Sequence, residues 1–400
     1  MGIYGWGAGA ARTGARDPWL PTVIERQLYE AKERGDTEGY LRILAENELL
    51  LDMDQELTDE DPDTVHHVYA ERPGDPPGIR TLEVRTRGDI VPRRSDVVVD
   101  RVVLKTLAEW FGDSEKVVIE VNPGAPSGMR FPHPDRAAWA RIGKEAVPPP
   151  ERGELLLTDA AGPLDGPVAH ALACSAHLAL RNRTPWNGVR DAYTDYLGDL
   201  NILRRDWGVT SPAEADEVIE SLHRTRYVPH EAEAALLARK AIVDFGLEPG
   251  EAFEPHHIYQ WYQATAKLAQ DAGVDVRQAQ EAIARIRRYE ERFRADGVLP
   301  PDGMVHTLAA WDFCRGITVI RVCVGARFCD TDFLTETVPE FGALCREAYG
   351  SWEDYSAAYS LARVLWGDDD EFGEVYRTTV RWHQLLTLDP DSPWRNIPFG

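Results

Sequence analysis

An aspartate and an arginine stand three residues apart in a segment that is otherwise almost wholly apolar, Ala309 to Val322, AAWDFCRGITVIRV. On a helix this spacing puts Asp312 and Arg315 on one face, where carboxylate and guanidinium pair directly. Trp311 beside them predicts desolvation. A buried carboxylate deprived of its guanidinium is penalised by about 3–5 kcal/mol, a scale that explains why the charges come together. Two chemistries are open to the pair. It can fasten the interior, or Asp312 can act as base while Arg315 clamps an anionic substrate, because strongly perturbed ionisable groups concentrate at functional sites. Asp312 and Arg315 are therefore the catalytic candidates, with Trp311 a binding candidate beside them. Arg321 lies about half a turn from Asp312 around the same axis and needs another partner, which the sequence does not identify.

A second group of candidates is aromatic. SWEDYSAAYSLARVLW opens with Ser351 as N-cap, and Glu353 and Asp354 complement the positive end of the helix dipole. Trp352, Tyr355, Tyr359, Ala362 and Trp366 recur at spacings of three and four, a single seam that either packs a core or stacks a ligand. Trp352, Glu353 and Tyr355 are kept as binding candidates. So is Asn122, because Asn122-Pro123-Gly124 follows a strand-like run, where a tight turn forms and ligands often bind.

Other constellations fail on their own chemistry. His230-Glu231 lacks the second imidazole of H-E-x-x-H, since position 234 is alanine. His256-His257, after Pro255 at a helix start, has no accompanying ligand cluster, so capping or solvated histidines are expected. Gly5-x-Gly7-x-Gly9 has no preceding strand and reaches no G-K-[ST]. A triad of Ser175, His177 and Asp159 lacks a G-x-S-x-G elbow. The acidic run Asp368 to Glu371 lacks the spaced ligands and glycine of a calcium loop. No C-x-x-C pair occurs, and the five scattered cysteines read as reduced, mostly buried thiols. No metal site and no cofactor are expected.

These residues need scaffolds. A chain of 400 residues exceeds what one core usually serves. Residues 1–18 read as a mobile tail. Residues 19–146 read as a small mixed α/β domain: helices at Pro21 to Arg34 and Thr37 to Glu48, strands at ELLLDMD, VHHVYAE, IRTLEVRT and KVVIEVNP, and a helix over Val98 to Phe111. Three consecutive prolines in VPPPERG predict a stiff connector at 147–153. A connecting segment and helix follow at 154–189, then an all-helical domain at 190–399. Its helices are expected at 229–245, 255–271, 275–295, 306–324, 331–348, 351–366 and 369–387, and another opens at Ser211-Pro212-Ala213-Glu214. The three prolines of LDPDSPWRNIPFG predict an extended C-terminal tail. The fold class is thus α+β, a small mixed α/β domain followed by a mainly α-helical one. The 306–324 helix is apolar nearly all round and belongs in the middle of a bundle.

The net charge of −23 repels phosphate backbones and argues against nucleic-acid or anionic-membrane binding, while favouring basic partners. No run reaches the length of apolar residues that spans a bilayer, and the N-terminus has no signal-peptide core, so a soluble cytoplasmic protein is expected.

Ala310-Trp311-Asp312-x-x-Arg315, Ser351-Trp352-Glu353-x-Tyr355, Trp207-Gly208-Val209 and Pro393-Trp394-Arg395-Asn396-Ile397-Pro398, in that family's order, resemble the bacterial domain of unknown function 1266 family over residues 190 to 399. Arg321-Val322-Cys323-Val324 departs from the expected Arg-Trp-Gly. The first domain resembles the SseB N-terminal domain family through its opening helices, early strands and VVIEVNPGAP. These resemblances imply architecture and a bacterial cytoplasmic setting, and transfer no reaction. A non-catalytic protein-interaction or regulatory module is the expectation. The alternatives are a hydrolase or transferase using Asp312 and Arg315 in a helical cleft, and an effector or neutralising partner of a secretion or toxin system.

Overall fold

The computed structural model describes residues 23–86, 96–110, 116–132, 135–146, 156–159, 162–189, 195–246 and 253–400. The tail expected at 1–18, with its glycines, and the proline connector 147–153 lie outside them. Contacts divide the chain into two compact units, Met1–Pro150 and Glu151–Gly400.

The first unit runs α1 (Val23–Glu33), α2 (Thr37–Ala45), β1 (Leu49–Asp54), α3 (Gln55–Glu60), β2 (Tyr69–Ala70), β3 (Arg80–Arg85), β4 (Val97–Val102), α4 (Leu104–Trp110), β5 (Val117–Val121), β6 (Met129–Phe131) and α5 (Arg136–Glu145). Its sheet has the order β4-β1-β3-β5-β6, with β2 also on β3. Among the described residues only β3 and β5 pair in parallel. Alternate residues of the strands, Leu49 and Leu51 or Val117, Ile119 and Val121, enter one cluster with Leu28, Tyr40, Leu107 and Trp139 of the helices.

Several expectations are corrected here. The helix expected over Val98 to Phe111 begins only at Leu104, because the β-branched run VVVDRV pairs with β1 along its whole length, Val102 opposite Leu49 and Val97 opposite Asp54. VHHVYAE contributes only Tyr69–Ala70 and a bridge from His67 to Met53. The short strand β6 and helix α5 had no sequence counterpart.

The second unit is helical: α6 (Gly166–Cys174), α7 (Ala176–Asn182), α8 (Tyr196–Ile202) running into a π turn at Leu203–Trp207, α9 (Pro212–His223), α10 (His230–Gly246), a 3-10 turn at Pro255–His257, α11 (Ile258–Ala272), α12 (Val276–Ala295), α13 (Ala309–Gly325), α14 (Thr331–Ala348), α15 (Trp352–Gly367), α16 (Glu374–Leu388) and α17 (Pro393–Asn396). Among the described residues no helix is long and apolar enough to cross a membrane. Ser211 caps α9 by accepting from the Glu214 N–H, and the Glu214 carboxylate reaches back to accept from the backbone N–H and hydroxyl of Thr210. The last two helical expectations need revision. Helix α16 starts at Glu374, not 369, because the Asp368 carboxylate gathers the N–H groups of Phe372, Gly373 and Tyr376 and holds the acidic run as a loop. The C-terminal prolines do not impose an extended tail: Pro393 sits in the first turn of α17, capped by Ser392, and Trp394 is buried.

Helix α13 is the centre of this unit, in contact with α6, α7, α8, α9, α14 and α15. Its approach to α14 depends on Gly316, where an added Cβ would lie 2.3 Å from the Phe341 ring. Gly316→Ala gains about 1 kcal/mol of helix propensity. Overpacking costs typically about 1–3 kcal/mol, and a fully buried ring cannot swing away, so we expect the variant to unfold at lower urea concentration with an unchanged slope.

Candidate functional site

The N-cap residue of α13, Leu308, has no capping side chain; the Thr307 hydroxyl oxygen accepts from the Ala309 N–H, and distant groups satisfy the donors on either side of it. Glu233 of α10 accepts from the Leu308 N–H (2.6 Å) and the Thr307 hydroxyl (2.6 Å). The Tyr349 hydroxyl accepts from the Ala310 N–H (2.7 Å). One turn on, Asp312 is 0% exposed and has both oxygens engaged: Oδ1 accepts from Arg315 Nη2 at 2.8 Å and Oδ2 from the Tyr227 N–H at 2.7 Å. Burial pushes the Asp312 carboxyl above the ordinary carboxylate range, against the pull of Arg315 and of the Tyr227 N–H. Burial raises the Glu233 carboxyl too, with the charge of Asp312 adding to it.

The two charges of the sequence pair therefore meet, but differently placed. Asp312 lies inside, whereas the Arg315 side chain remains 19% exposed. The guanidinium carbon lies 4.9 Å from the centre of the Trp311 ring, 5.2 Å from Trp207 and 5.7 Å from Tyr227. Three rings thus surround one cation, a favourable quadrupole arrangement. The buried Arg315 Nε has no hydrogen-bond partner. Tyr227 (43% exposed) and Trp366 (68% exposed) bring the aromatic surface to solvent, Trp366 lying 6.1 Å from Trp311.

The other candidates do not join this site. Trp352 and Tyr355 are buried core: Trp352 Nε1 donates to the Ile397 carbonyl, and the Tyr355 hydroxyl donates to that of Cys174. Glu353 is exposed on the same helix. Asn122 belongs to the first unit and is buried in a left-handed turn (φ 45°), its side chain accepting from the Thr86 N–H and donating to the Thr86 hydroxyl. Arg321 finds the partner that the sequence withheld, the Pro185 carbonyl at 2.5 Å, and burial lowers its pKa to about 10. His257 caps the 3-10 turn, its Nδ1 accepting from the Glu254 N–H. Asp370, within the acidic run, pairs with Arg285.

Three features escaped the sequence reading. Glu233 is one. A second is the ion pair Arg239–Glu290, both side chains at most 3% exposed, bidentate at 2.6 and 2.7 Å. A third is Ser356, whose buried hydroxyl lies between His177 Nε2 (2.9 Å) and His383 Nδ1 (2.8 Å). With neutral rings the hydroxyl can donate to one imidazole and accept from the other, the roles following from the tautomers. Burial lowers both histidines, His383 to about 4. His177 thus faces Ser356 rather than Ser175, whose hydroxyl donates to the Leu172 carbonyl. The only signal for Glu233 was its place one turn after His230, and the partners of the other two are too distant in sequence to be read.

Among the described residues no group of His, Cys, Asp and Glu could hold a metal ion, and the described cysteines are free thiols. No curated protein and no solved structure matches the chain. The resemblance of residues 19–146 to the SseB N-terminal domain family finds no support, and the similarity begins twelve residues later than position 190. Residues 202–399, from the end of α8 through α17, match the model of the family described as Protein of unknown function (DUF1266).

Proposed function

We propose that the second unit is a protein-interaction module whose contact patch is built by Arg315, Trp207, Tyr227 and Trp366. The observation that carries this reading is the arginine held among three rings, of which Tyr227 is exposed, with one further exposed ring, Trp366, beside them. Trp, Tyr and Arg are the residues that dominate interface energetics. Asp312, with both oxygens engaged and no exposure, holds the Tyr227 loop to α13 and fixes the guanidinium that the patch presents. The chain's charge of −23 favours a partner with a basic surface.

Affinity purification of the tagged chain, in parallel with Tyr227→Ala/Trp366→Ala, tests this. A protein captured in stoichiometric amount by the parent chain and lost by the variant supports the patch. Absence of such a protein, or its retention by the variant, overturns it.

The hydrolase or transferase reading draws on a specific observation, two neighbouring carboxylates both pushed upward in pKa, Asp312 and Glu233. Asp312→Asn separates the readings. Its amide must turn one NH2 toward either the Tyr227 N–H or the Arg315 guanidinium, so a fastening Asp312 predicts a loss of about 1–3 kcal/mol in thermal unfolding. Unchanged stability with loss of a cellular phenotype would instead favour the base.

A further inference from the structure

Helix α15 carries a line of polar side chains, Ser356, Tyr359, Ser360 and Arg363, whose spacing puts them on one stripe of the helix. All are buried, Arg363 at 9% exposure and the other three at 0%. Ser356 is engaged by His177 and His383. Arg363 has no comparable partner. Its Nε donates to the Thr379 hydroxyl (3.1 Å), and its terminal nitrogens make no hydrogen bond of good geometry to a described residue. Burial lowers its pKa, and no carboxylate among the described residues pairs with it, whereas Arg181 brings a second positive charge close by. A buried charge is normally paired. Arg239 and Arg315 follow this rule through Glu290 and Asp312, and even Arg321 feels the charge of Asp199.

An independent observation falls at the same place. The Tyr359 hydroxyl, the Ser360 hydroxyl, His177 Nδ1 and Trp382 Nε1 are buried polar atoms without a hydrogen-bond partner. The Tyr359 hydroxyl lies beside the Arg363 guanidinium. His177 stacks on the Tyr359 ring (4.2 Å, 13° between planes), and the Arg363 guanidinium lies 4.8 Å from the centre of the Trp382 ring. Most buried polar atoms in proteins are bonded, so unpartnered donors gathered around an unpaired cation point to a polar ligand.

The sign of the field selects an anion. Burial holds the Tyr359 phenol above its ordinary value, and Arg363, Arg181 and Arg315 all pull against it. Of these, Arg315 is matched by Asp312, and the Asp206 carboxylate on which Arg181 acts is held at both oxygens by Arg205 (2.7 and 3.2 Å). The cluster lies just beneath the surface, since Arg181 is exposed and Trp366, three residues beyond Arg363, is 68% exposed.

We infer that Arg363 and Tyr359 form a binding site for the carboxylate of a small organic acid, the terminal nitrogens of Arg363 donating to its two oxygens and the Tyr359 hydroxyl donating to one of them. A planar carboxylate matches the guanidinium fork, and its single charge balances one buried cation, which a phosphate dianion would overshoot. The site adjoins the Trp366 edge of the contact patch but stands without it: a small acid reads Arg363, whereas capture of a protein reads Tyr227 and Trp366.

Isothermal titration calorimetry of the full chain with acetate and with benzoate, at constant ionic strength set by chloride, tests the assignment. Saturable binding of one acid per chain is expected. Tyr359→Phe removes a hydroxyl that makes no hydrogen bond in the protein, so its melting temperature should stay at or above that of the parent while both affinities fall about tenfold. Arg363→Met should abolish binding and also melt no lower than the parent, because it removes an unpaired buried cation. Should Arg363→Met melt below the parent, its lost binding is set aside and Tyr359→Phe decides alone. No saturable binding of either acid, an affinity unchanged in Tyr359→Phe, or inorganic phosphate bound in preference to both acids overturns the inference.

Discussion

Glu290→Ala is expected to lower the stability of the second unit by about 3–5 kcal/mol, the range observed when one partner of a buried ion pair is removed. The carboxylate occupies a fully engaged position. Arg239 donates to its two oxygens at 2.6 and 2.7 Å, and the Val305 N–H donates to Oε1 at 2.9 Å. Arg239 also donates to the Val305 carbonyl at 2.8 Å and lies 4.6 Å over the Trp261 ring. Removing Glu290 therefore strands a guanidinium inside the bundle and releases the segment that leads from α12 into α13. The companion variant Glu290→Leu/Arg239→Met removes both charges together. Replacing a buried pair by apolar residues of similar volume is often neutral or stabilising, so the double variant should recover most of the loss, apart from the orphaned Val305 groups. Urea unfolding of both variants decides the matter. A single variant within about 1 kcal/mol of the parent would mean that water reaches the guanidinium.

This pair also marks the limit of what a sequence discloses. Asp312 and Arg315 attracted attention because they are three residues apart, and helical geometry alone brings them together. Arg239 and Glu290 are separated by 51 residues. Each looks locally like an ordinary charge on an amphipathic helix, and only the packing of α10 against α12 turns them inward. The same reason hid Ser356 between His177 and His383, which join from 179 and 27 residues away. Helices of the second unit were legible wherever a long 3.6-residue period or a cap such as Ser211 or Ser351 set them. Legibility failed where tertiary pairing chose between two local options. The run VVVDRV tolerates a helical reading, and its pairing with β1 makes it a strand. Asp368 could serve as a first-turn anion of a longer helix, but its four donors fold the following residues into a loop. The candidate site was half legible: Trp311 and Arg315 are neighbours in the sequence, while Trp207 and Tyr227 come from other elements.

Trp394→Ala is expected to cost about 3–5 kcal/mol, the range for truncating a buried tryptophan, although the residue lies in a proline-rich C-terminal segment. A loosely attached extended tail would predict almost no effect. The indole instead stacks on Trp352 (5.2 Å, 8° between planes) and meets His177 and Tyr355 edge-on. Its Nε1 donates to the Ala173 carbonyl at 2.9 Å, an acceptor that alanine would leave buried and without its donor. Trp352 binds the tail from the other side through the Ile397 carbonyl, and His170 contacts the Phe399 carbonyl at 2.7 Å. The loss should therefore spread along α6, α7 and α15, because all three meet at this indole. For a unit of this size each kcal/mol lowers the melting temperature by about 2–4 °C, which makes the shift readily measurable. Trp394→Phe keeps most of the apolar contact but removes the Nε1 donor, so it should fall between the parent and Trp394→Ala. If the alanine variant melts with the parent, the tail does not close the aromatic core in solution.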